Sequence, residues 1–176
     1  MTSFSDLPDE VVYEMCKDWD TPTLLNMSQS HGRVYQICYG EIQKRKKAAE
    51  RAAKIKRRME IDTVREELQK GTRNFIKFFP NGIISEVTII RGTPPHYDGT
   101  VQQIIYSDER NISQEEAEAI PTLVPFGSFA HLSPIKVSDF SSFSDYDGYL
   151  IRIEFFGLET NAVAANLVDQ KYVIIK

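Results

Sequence analysis

Few residues in this chain belong to the types that build disulfide scaffolds, metal centres or hydrolytic sites. Only Cys16 and Cys38 are cysteines among 176 residues. Two thiols exclude a disulfide framework and a four-cysteine zinc site, and both lie in helical apolar patterns where reduced, packing thiols are expected. His31, His96 and His131 are scattered, none at ligand spacing from a Cys or another His, so no metal or other cofactor is expected. Neither a Gly-x-Ser-x-Gly elbow nor a glycine-rich phosphate loop occurs. His96-Tyr97-Asp98 is the nearest approach to an acid–base pair, but adjacency along the chain does not bring side chains together. The expectation is a non-catalytic protein. No apolar run approaches the ~20 residues that span a bilayer, and the N-terminus lacks the basic and apolar regions of a signal peptide. Cytoplasm or nucleus is the expected location.

What is present is ordinary globular material, 41% hydrophobic and 26% charged, with the charge unevenly spread. The net −4 divides into −4 over residues 1–40, +5 over 41–70 and −5 over 71–176. These divisions follow the pattern of expected elements. Residues 1–40 read as three short helices. Ser5 or Asp6 can cap the first, Pro8 suits its first turn, and Asp9 and Glu10 favour the positive end of its dipole. Val11, Val12, Met15 and Trp19 then recur at helical spacing, Asp20-Thr21-Pro22 starts a second helix, and His31-Gly32 breaks it before a third.

From Glu41 to Lys70 there is no Gly or Pro, and Ala, Lys, Arg and Glu dominate, which predicts a long charged linker helix stopped at Gly71. Its apolar stripe Ala48, Ala52, Ile55, Met59 changes phase to Ile61, Val64, Leu68, predicting a bend or a change of packing partner near Glu60. After Gly71 the period becomes that of strands, at 75–79, 83–90, 100–106, 148–156 and 171–176, with a capped helix at 113–120 and a loop at 138–148. Pro80-Asn81-Gly82 between two β-rich runs predicts a hairpin. The fold class is therefore α+β: a helical module at 1–40, a linker helix at 41–71, and a mostly antiparallel β domain at 72–176.

The string Leu7-Pro8-Asp9-Glu10-Val11-Val12, followed by Met15, Trp19-Asp20, Leu24-Leu25-Asn26-Met27-Ser28, Arg33 and Tyr35, resembles the F-box. The resemblance covers residues 4 to about 40. His31-Gly32 departs from the family's small or polar residue before the basic position. The resemblance implies a helical trio that docks a Skp-type adaptor of a cullin ubiquitin ligase while the rest of the chain holds a protein target. Leu7, Pro8, Val11, Val12, Met15, Leu24, Leu25 and Met27 are the implied partner-binding or supporting set. Chemistry points the same way, since a forty-residue helical unit cannot bury every apolar residue within itself.

Phe78-Phe79-Pro80-Asn81-Gly82-Ile83, with Asp98-Gly99-Thr100-Val101, resembles one unit of MORN-type hairpin repeats, and one unit is too few for a repeat architecture. F-box and MORN-like sequences occur together in some large DNA viruses, which makes a structural or assembly protein, contacting neighbouring capsid subunits in a virion, the alternative. A third reading uses the basic run Lys44, Arg45, Lys46, Lys47, Lys56, Arg57 and Arg58 for nuclear import or nucleic-acid contact. No aromatic residue stands there for base stacking, so a solvated linker is favoured. Asp145-Tyr146-Asp147-Gly148 reads as a turn, because the oxygen ligands of a calcium loop are missing. Finally, Phe126, Phe129, Phe140, Phe143, Tyr146 and Tyr149 are unusually dense in a Ser, Asp and Gly background. Phe140, Phe143, Tyr146 and Tyr149 are the candidate target-binding residues, if their rings are not packed internally.

Overall fold

A proline at position 8 and a glycine at 32 set the first boundaries of the chain. In the computed structural model, which describes residues 4–92, 98–123, 132–156 and 160–175, a 3-10 turn at Phe4–Asp6 leads into helix α1 (Asp9–Asp18). Pro8 occupies the N-cap, and its carbonyl accepts from Val11 and Val12. The N-cap position is thus Pro8 rather than Ser5 or Asp6, and Asp9 and Glu10 supply favourable charge in the first turn. Asp20 caps α2 (Thr21–Ser30) by accepting from the Thr23 amide at 2.8 Å, which holds its carboxyl below the usual range. Helix α3 (Gly32–Gln69) then runs for 38 residues. The expected third short helix and linker helix are one element, because Gly40 costs only about 1 kcal/mol of helix propensity among strong formers. Gly71, at φ +130, follows its end as expected.

Two compact units result, residues 1–56 and 57–176, and their division falls inside α3. In the first unit Val12 and Cys16 of α1, Leu24 of α2, and Val34 and Cys38 of α3 form a sealed core. Each such side chain contributes roughly 1.5–3 kcal/mol on leaving water, so the tier is small but closed.

The second unit is built on a six-stranded sheet of order β4-β5-β3-β2-β1-β6, with every recorded pair antiparallel. Its strands are β1 (Arg73–Phe78), β2 (Ile83–Arg91), β3 (Gly99–Ser107), β4 (Ser133–Lys136), β5 (Asp147–Phe155) and β6 (Val173–Ile174). Strand β4, four residues containing Pro134, is an edge strand that the sequence pattern does not reveal, and β6 is shorter than expected. The β1–β2 hairpin is present, but through a three-residue loop. The Gly82 amide donates to the Phe79 carbonyl, and only Gly82, at φ +81, is left-handed. Pro80 presets the turn and Gly82 absorbs the bulge, so Asn81 needs no positive φ.

One sheet face carries the main core, including Phe75, Val87, Ile105 and Ile153, with Ile61, Val64 and Leu68 of α3 and Val163 and Leu167 of helix α5 (Thr160–Asp169). The phase change near Glu60 is thus a change of packing partner within an unbroken helix. Helix α4 (Gln114–Glu118) has the expected capping box between Ser113 and Glu116. Ile84, Ile104, Tyr106 and Val137 form a smaller cluster. Among them Tyr106 donates to the Glu86 carboxylate at 2.7 Å.

Candidate partner-binding site

The motif residues of the first unit divide into three groups by position on their helices. Val12 and Leu24 point into the sealed core, at 0% and 1% exposure, and therefore support the site from beneath rather than line it. Of the binding or supporting set, these two take the supporting position: among the described residues the tier has five fully buried apolar side chains, and these are two of them. Leu7 and Met27 are half-buried and packed on that core, and Met15 is half-buried. Pro8, Val11 and Leu25 are exposed, Val11 and Leu25 by 43% and 45%. Pro8, Val11 and Met15 recur at three- and four-residue spacing, so they form one flank of α1.

Arg33 explains how the motif's opening residues are held. Its guanidinium donates to the Asp9 carboxylate at 2.6 Å, to the Ser5 carbonyl at 3.0 Å, and to the Leu7 carbonyl. One planar fork thus joins α3 to the turn before α1, satisfying carbonyls that no helix uses. Arg45 does the same at the other end. It pairs with Glu41 at 2.9 Å and donates to the carbonyls of Cys16 and Lys17, at the negative end of α1. Between α1 and α3 lies an open groove of about 770 Å³ lined by Asp9, Glu10, Tyr13, Glu14, Arg33, Gln36 and Ile37.

Two exposed aromatics, one of them the Tyr35 of the motif string, lie outside the partner-binding set. Tyr35 and Tyr39, 45% and 50% exposed, stand one turn apart on α3 with ring centroids 5.7 Å apart in an edge-on arrangement. The signal was legible, since each directly follows a buried position, Val34 or Cys38, and the pair repeats at four residues.

The side chains of the basic run differ in what they touch. Lys44, Lys46, Lys47, Lys56 and Arg58 are exposed, whereas Arg45 is committed to α1 as described. Arg57 binds both carboxylate oxygens of Asp169 at 2.7 and 2.8 Å. Arg45 and Arg57 thus each hold another element of their own unit through charge-assisted hydrogen bonds.

In the second unit Phe140, Phe143 and Tyr146 are 43%, 62% and 40% exposed, so these rings are not packed internally. Tyr149 differs: on β5 opposite Ile105 it is half-buried and packs against the main core. Phe126, Phe129, His96, Tyr97 and His131 lie outside the described residues. Ser144 fixes the aromatic segment by donating to the Ser107 carbonyl at 2.9 Å and accepting from the Tyr146 amide at 3.1 Å. Among the described residues no group of three or more His, Cys, Asp or Glu could hold a metal ion, and no helix is long and apolar enough to cross a membrane. Comparison of the chain with protein-family models, curated proteins and solved structures finds no match.

Proposed function

We propose that the first unit is a docking module of the F-box kind that binds a Skp-type adaptor, and that the second unit presents Phe140, Phe143 and Tyr146 to a protein target. The observation that supports this best is the completeness of the small core. Val12, Cys16, Leu24, Val34 and Cys38 are fully enclosed, yet Pro8, Val11, Leu25, Tyr35 and Tyr39 remain at the surface. Large apolar and aromatic groups that the module does not need for its own closure are the material of a protein interface. Arg33 and Arg45 tie the start and the end of α1 to α3, and such preorganisation lowers the ordering cost of association.

Calorimetry of the full chain with a purified Skp-type adaptor tests this reading. Binding is expected, and Val11→Asp or Leu25→Asp is expected to weaken it by at least about 2 kcal/mol, the range of an interface hot spot. These positions serve better than Leu7, which packs on the module's own core and whose loss would unfold as well as unbind. Absence of binding, or unchanged binding by both variants with an intact helical circular dichroism signal, would overturn it.

A further inference from the structure

Helix α3 carries a seam that outlasts the helices covering it. Val34 and Cys38 are buried in the core of the first unit, and Glu41 and Arg45 close the next turn as a half-buried ion pair over the end of α1. The same spacing of alternately three and four residues then continues through Ala48, Ala52, Ile55 and Met59. By that spacing they occupy alternating a and d positions of a heptad. Every residue from 46 to 60 is exposed, Ile55 by 61% and Met59 by 64%. Four turns of helix therefore hold an apolar stripe in register with an occupied one, and among the described residues the stripe is left exposed.

The flanks of the stripe say what fits. Lys44, Arg51 and Arg58 repeat every seven residues along one side, and Lys56 stands on the other. A second copy of α3 would set cations against cations in either direction, g against e when parallel and g against g when antiparallel. Two of the four seam positions are alanine, which lets a partner backbone approach closely. The stretch has no aromatic residue to stack on bases or to anchor in a lipid interface.

We propose that residues 44–59 of α3 dock an acidic amphipathic helix of another protein, which extends the seam occupied by α1 and α2 by about two heptads. Large apolar side chains of that helix fill the space over Ala48 and Ala52, and its carboxylates face the column of Lys44, Arg51 and Arg58. This surface is separate from Pro8, Val11 and Leu25, so it stands or falls independently of adaptor binding.

The probe is a labelled three-heptad peptide with Leu at a and d and Glu at e and g, titrated with the full chain in fluorescence anisotropy. A scrambled peptide of equal composition and a twenty-nucleotide oligo(dT) serve as competitors for charge alone. The ordered peptide is expected to bind at least about tenfold more tightly than either. Ile55→Asp should weaken it by a similar factor, and the double variant Arg51→Glu, Arg58→Glu should transfer preference to a peptide with Lys at e and g. All three positions are exposed, so circular dichroism should be unchanged. Equal binding of the scrambled peptide, tighter binding of oligo(dT), self-association of the chain in sedimentation, or no binding would each overturn the proposal.

Discussion

Single side chains settle how a core of five apolar residues stays closed. Arg33 and Arg45 stand a little over three turns apart on α3 and tie the start and the end of α1 to it. Between these two clamps lie Cys16 and Cys38, both buried and free. Burial, reinforced by the neighbouring Cys16 thiol, pushes the Cys38 thiol from its ordinary 9.0 up to about 12. Because the folded value is raised, the associated stability is complete below about pH 9 and is lost as pH rises from there toward 12. The first unit should therefore melt progressively earlier above about pH 9, while both thiols stay inert to iodoacetamide at pH 8 until denaturant is added. Rapid alkylation of the native chain at pH 8 would contradict this account.

At the scale of elements, close approach matters more than propensity. Gly148 opens β5 where the strand passes beneath Val137 and beside β3. A Cβ there would lie 2.6 Å from the Ile105 carbonyl oxygen, 2.8 Å from Val137 Cγ2 and 2.9 Å from Tyr106 Cβ. The first of these neighbours is backbone and cannot step aside, so Gly148→Ala should destabilise the sheet by about 1–3 kcal/mol, read as a lower urea midpoint with an unchanged slope. A wild-type midpoint would show that β5 can shift. The same packing orders the aromatic segment before β5, because Ser144 reaches the last residue of β3 while Phe140 and Phe143 stay outside. Beneath the sheet, Ser85 accepts from Gln103 Nε2 at 2.9 Å and from the Tyr172 hydroxyl at 2.7 Å, which satisfies those groups while the Gln103 Oε1 has no hydrogen-bond partner among the described residues.

The whole chain divides into two bodies with separate cores that share one helix. A charge placed in the smaller core should thus be felt there first. Val12→Asp puts a carboxylate at a position with no exposure, and an unpaired buried charge costs several kcal/mol, comparable with the stability of so small a tier. Amide exchange should show loss of protection in α1 and α2, while β2 and β3 keep theirs. Simultaneous loss in both units would mean that α3 couples them into a single cooperative fold.

The α+β class, the helices around Asp20 and Ser113, the hairpin at Gly82 and the stop at Gly71 were all legible in the sequence, because each rests on local chemistry: a capping side chain, a preset φ, or a period of apolar residues. The motif also marked Val12 and Leu24 as important, but hydrophobicity alone cannot distinguish a residue that seals a core from one that faces a partner. Only the packing of three helices sent those two inward and left Val11 and Leu25 outside. Likewise, composition drew Arg45, Arg57 and Lys47 as one basic run, and tertiary structure separated them by bringing α1 to the first and Asp169, 112 residues away, to the second. Strand β4 and helix α5 were unreadable for a related reason: a four-residue edge strand has almost no period of its own, and α5 is held by the core it covers more than by its own pattern.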